Sequence, residues 1–123
     1  MFGLDLNACI FEAVVFHRLE HVKRYLADLE RGRAASPVIS LVSVRSLFEE
    51  SLQAGYRDIA ELCAWMERII MALQQGRGQN ASVLRSGISQ ACDRIASQAH
   101  ANTHRAAESP LRSVEEALEV NAA

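Results

Sequence analysis

The side chains best able to do chemistry in this chain are four histidines arranged in two pairs. His17-Arg18-Leu19-Glu20-His21 fits an H-x-x-E-H pattern, in which two histidines one helical turn apart bind zinc and a glutamate activates water. A third protein ligand is needed, and no downstream glutamate stands in a suitable motif. His17 and His21 therefore read first as surface histidines, with a metal-binding protein as the alternative. His100 and His104 repeat the spacing near the other end of the chain. No carboxylate is evidently placed to orient those rings, so neither a metal nor any other cofactor is expected. Cys9, Cys63 and Cys92 are widely spaced and fall on or near apolar helical stripes, as buried free thiols do. Gly76-Arg77-Gly78 is too short for a phosphate loop and reads as a turn.

The elements that must position these groups are helical. A first helix spans about 6–31, with Phe11, Val15, Leu19, Val22, Leu26 and Leu29 on one face and Gly32 as a left-handed stop. A second begins after Ser36-Pro37 and runs to about Ala54, before Gly55. Ile59, Leu62, Met66, Ile69 and Leu73 alternate threes and fours, which is the buried stripe of a third helix. The fourth opens at Asn80 or Ser82 and carries Leu84, Ile88, Ala91, Cys92, Ile95 and Ala99. Trp65 is read as a core flank at the edge of the third stripe. Short links force antiparallel neighbours. The expected architecture is all-α, an up-down-up-down four-helix bundle over residues 1–99. Residues 100–123 are expected to form a short C-terminal extension: a polar linker, then a helix from Ser109-Pro110 bearing Leu111, Val114 and Leu118, or a frayed tail.

Composition bounds the function. One domain of 123 residues can bury a core without disulfides or a structural metal. Half of its residues are hydrophobic and 23% charged, as in a globular protein. A net charge of −2 supplies no basic field, so nucleic acid is not an expected partner. No apolar run approaches a membrane span, and Met1 to Asn7 lacks the charged start of a signal peptide; the expected location is cytoplasmic.

The second and third helices carry the most informative register: Arg45-Ser46-Leu47-Phe48-Glu49-Glu50-Ser51, then Gly55-Tyr56, then Glu67 in Trp65-Met66-Glu67. Phe11-Glu12-Ala13 and Leu29-Glu30-Arg31-Gly32 in the first helix, with Leu73-Gln74-Gln75-Gly76 closing the third, complete the pattern. Over roughly residues 8 to 98 this run resembles histidine-phosphotransfer domains, especially the amino-terminal one of chemotaxis histidine kinases. In that family a histidine precedes a small residue, an apolar residue, lysine and glycine; a glycine-aromatic pair and a glutamate follow without gaps.

The departures fall on the chemistry. Arg45 occupies the phospho-acceptor histidine position, and a guanidinium stays protonated and is no nucleophile near pH 7. Phe48 stands where the family lysine would steady phosphoryl oxygens, and Glu49 where a glycine lets a receiver domain approach. The resemblance thus implies a degenerate, non-catalytic pseudo-phosphotransfer domain that binds partners in bacterial two-component or phosphorelay signalling: a receiver domain, a histidine kinase or a second copy. It implies further that Val38, Leu41, Arg45, Phe48 and Leu52 face outward as the partner-binding surface. Amphipathicity alone favours the opposite rotation, with those residues in the core and Ser40, Ser43 and Ser51 outside. That rotation would suit a helical adaptor or dimerisation bundle with no signalling ancestry.

Overall fold

The computed structural model describes residues 6–76 and 80–122, with side chains described as far as His104. Four helices follow one another: α1 (Leu6–Glu30), α2 (Val38–Ala54), α3 (Arg57–Gln74) and α4 (Ala81–Ala122). Each packs against two neighbours, α1 on α2, α2 on α3, α3 on α4 and α4 back on α1. The ring closes as a four-helix bundle. Its sense follows from short links, and side-chain contacts agree: Ser40 near the start of α2 bonds to His21 in the second half of α1, whereas Arg18 earlier in α1 meets Glu50 late in α2. Across the diagonal, the Gln74 amide donates to the Tyr25 hydroxyl at 2.7 Å, joining the ends of α3 and α1. Among the described residues, no helix is long and apolar enough to cross a membrane.

Turn chemistry sets the lengths. Gly32 and Gly55 adopt positive φ, 71° and 85°, at the ends of α1 and α2, a backbone region open to glycine at no steric cost. At both, the glycine N–H bonds the carbonyl three residues back, and the following N–H reaches five residues back: Arg33 to Asp28 and Tyr56 to Ser51. This pairing satisfies carbonyls that a helix end would otherwise leave without a donor. At the start of α2 the Ser36 hydroxyl accepts from the Val38 N–H at 3.3 Å, beside Pro37, whose fixed φ suits a first turn.

The core gathers one stripe from each helix. Val15, Leu19, Val22, Tyr25 and Leu26 come from α1, Val44 and Leu47 from α2, Ile59, Cys63, Met66, Ile69 and Ile70 from α3, and Ile88, Ala91, Cys92, Ile95 and Ala99 from α4. The expected stripes of α1, α3 and α4 reappear here, with Phe11, Leu29, Leu62, Leu73 and Leu84 half-buried along their edges. The α2 stripe is the exception to amphipathicity. Ser40, Ser43 and Ser51 are buried alongside Val44 and Leu47, and the aliphatic residues lie on the other side.

One expectation is corrected in the fourth helix. The polar stretch 100–108 was read as a linker, yet α4 continues through it, and through Pro110, to Ala122. Loss of the apolar stripe does not end the helix: alanine, arginine and glutamate there retain high helical propensity, and Asn102 is still buried while Thr103 donates to the Ala8 carbonyl of α1. The side chains of Leu111, Val114, Leu118, Glu115, Glu116 and Glu119 lie outside the described residues, as do Arg77 and Gly78.

Candidate functional site

The outward face of α2 is built around Arg45. With serines turned inward, the 100° step between successive helical residues carries Val38, Ile39, Val42, Arg45, Glu49 and Leu52 to the surface. Val38, Ile39, Val42 and Leu52 are between 48% and 64% exposed, an unusual concentration of aliphatic surface on one short helix. Leu41 and Phe48, which the family register grouped with this surface, sit on its flank instead: both are half-buried and pack against the core. Ile39 and Val42 take their place, two positions that the sequence reading did not single out.

Small residues explain the inversion. Serines need little volume on the inner face of α2, and the buried hydroxyls find partners: Ser51 donates to the Leu47 carbonyl at 2.6 Å, Ser40 to the His21 carbonyl of α1 at 3.3 Å. Turning Phe48 and Leu41 fully inward would need more interior volume than the serines occupy.

Arg45 does not stand free. Its Nε donates to Glu67 Oε1 on α3 at 2.7 Å; the arginine side chain is 73% exposed and the glutamate 25%. The two positions that match the family's histidine and glutamate are thus in direct contact across the α2–α3 groove. Such an exposed pair contributes at most about 1 kcal/mol, so its role is to hold the guanidinium in place more than to hold the fold. A second pair, Arg18 with Glu50 at 3.1 Å, ties α1 to the far side of α2.

The two histidine pairs differ. His17 is exposed and His21 half-buried, their ring centroids 5.3 Å apart and edge-on, and Glu20 points to solvent with them. Among the described residues, no group of three or more histidines, cysteines, aspartates and glutamates is placed to hold a metal. Between α1 and α4, however, His100 Nδ1 lies 2.9 Å from Glu12 Oε1, and His100 Nε2 lies 2.9 Å from His104 Nε2. A carboxylate does orient this pair. It was invisible in the sequence because 88 positions separate Glu12 from His100. Burial raises the Glu12 carboxyl, but hydrogen bonds from His100 and Thr103, with the nearby charges of His100 and His104, outweigh it and hold the group below its ordinary value.

Cys63 and Cys92 are buried free thiols and Cys9 is half-buried. Burial, with Cys92 adding to it, pushes the Cys63 thiol up to about 12; burial also lifts Cys92 to about 11, opposed by Lys23 and aided by Asp93. Both are inert packing groups at neutral pH. Trp65 is 41% exposed and lines an open groove between α3 and α4 with Ile69, Val83, Leu84 and Gly87.

The chain matches no protein-family model, no curated protein and no solved structure. The bundle and its surface therefore carry the functional argument by themselves.

Proposed function

We propose that this chain is a binding module of the histidine-phosphotransfer type that has lost phosphotransfer, its partner a receiver domain engaged through the outward face of α2. One observation carries the reading. Arg45 faces solvent at the motif's histidine position and contacts Glu67, the motif's glutamate, while serines rather than Val38 and Leu52 turn inward. An unrelated bundle chosen on amphipathicity would have the reverse rotation.

The altered face suits docking. A guanidinium that is already positioned, ringed by Val38, Val42 and Leu52, is the kind of cationic centre with an apolar surround that anchors protein interfaces. A receiver domain presents a carboxylate-lined pocket, and an arginine can pair with carboxylates there without accepting phosphate. Glu67 competes for the same guanidinium, so docking exchanges one carboxylate partner for another. The exposed aliphatic surface also favours a second reading, an adaptor or self-associating bundle without signalling ancestry.

Two experiments test the proposal. Incubated with an active histidine kinase and labelled ATP, the chain is expected to remain unlabelled; acid-labile label on any histidine contradicts the loss of phosphotransfer. Titrated with receiver domains from the same organism, wild type is expected to bind at least one, and Arg45→Glu to lose tenfold or more in affinity. Equal affinity of wild type and Arg45→Glu would remove the Arg45 face from the interface.

A further inference from the structure

We propose that His100 and His104 form a binding site for a divalent transition-metal ion, with Glu12 as the carboxylate that orients His100. The inference stands apart from the α2 surface and does not depend on it. His100 and His104 lie one turn apart on α4, so their rings share a face. Their Nε2 atoms are 2.9 Å apart. Two imidazole nitrogens one turn apart can close on a single ion at about 2.0–2.1 Å from each, and imidazole suits nickel(II), copper(II) and zinc alike.

The other ring nitrogen strengthens the case. His100 Nδ1 donates to Glu12 at 2.9 Å, which fixes the tautomer and leaves the Nε2 lone pair for a ligand. Glu12 is itself held in place, only 17% exposed. Without metal, the 2.9 Å contact is a hydrogen bond from His104 Nε2–H to the His100 lone pair. On binding, that proton moves through water to the other nitrogen of His104, and two nitrogens face the ion. Since no third such ligand is placed among the described residues, water fills the remaining positions and the ion exchanges readily. Glu12 lies on α1 and both histidines on α4, so an ion on His100 polarises its Nδ1–H and tightens the hold between the two helices.

His17 and His21 provide an internal control. They have the same spacing, but their centroids lie 5.3 Å apart rather than the 4.4 Å of His100 and His104, and among the described residues no carboxylate is bonded to either ring. Calorimetric titration of the full chain with nickel chloride near pH 7.5 is expected to give one site. His104→Ala, a change at an exposed position, should abolish it. Glu12→Gln retains both ligands and should weaken binding by roughly 10–100-fold, the effect of losing an orienting carboxylate. The double variant His17→Ala, His21→Ala should bind as wild type does. Metal-induced elevation of the thermal midpoint should vanish with His104→Ala. No nickel binding by the wild type, unchanged binding in Glu12→Gln or His104→Ala, or loss of binding in the His17, His21 variant would overturn the assignment.

Discussion

Helices α2 and α3 lie side by side, yet they obey different rules. In α3 the apolar spacing decides the orientation: Ile59, Met66 and Ile70 are inside, and Arg57, Glu61 and Arg68 are outside. In α2 the small residues decide it, placing Ser40, Ser43 and Ser51 inside and leaving Val38, Ile39, Val42 and Leu52 in solvent. A helix oriented against its own hydrophobicity gives up transfer free energy, on the order of 1 kcal/mol or more for each exposed aliphatic side chain. Inside, the Ser40 and Ser51 hydroxyls bond backbone carbonyls of α1 and α2.

The largest effect expected from this contrast is in the core. Leu47→Ala on α2 and Met66→Ala on α3 should each cost about 2–5 kcal/mol in urea unfolding, because both side chains are almost wholly buried. Val42→Ser should stay within about 0.5–1 kcal/mol of wild type. A cost for Val42→Ser matching that of Leu47→Ala would show that α2 is rotated the other way. Next comes Ser43→Leu, which forces a large side chain into the serine stripe and should cost about 1–3 kcal/mol; a stabilising effect would mean spare volume beneath α2.

Alkaline titration probes the interior side of α3 and α4. The folded pKa values of Cys63 and Cys92, about 12 and about 11, lie above that of an unfolded thiol, about 8.5. Their contribution to stability is therefore complete below about pH 8.5 and is lost as pH rises toward 11–12, since only the unfolded chain forms thiolates in between. Replacing both cysteines by alanine should flatten that part of the stability profile. A slope unaffected by the replacement would place the thiols nearer solvent. The smallest effect belongs to Arg45→Ala. Loss of its exposed pair with Glu67 should change stability by less than about 1 kcal/mol, leaving binding as the property it alters.

What the sequence made legible follows the same division. Hydrophobic spacing located α1, α3 and α4 and their buried stripes, and Gly32 and Gly55 marked two helix ends, because those signals are local. The orientation of α2 was not legible from hydrophobicity, since serine scores low whichever way it faces. The contact of Arg45 with Glu67 joins two helices, and the register that singled out both residues did not announce it. Ile39 and Val42 were overlooked because they lay outside that register. The contact of Glu12 with His100 depends on the closure of α4 against α1, and no spacing within either helix announces it. The continuation of α4 beyond Ala99 was missed because a lost apolar stripe was taken for a lost helix.

The most direct test of the outward α2 face is sedimentation velocity across a concentration series, with and without a receiver domain, comparing wild type with a Val42→Ser, Leu52→Ser double variant. The variant should keep its helical circular dichroism and its thermal midpoint while losing the complex that wild type forms. Unfolding of the variant, or a complex formed as readily as by wild type, would contradict the assignment of this face as the binding surface.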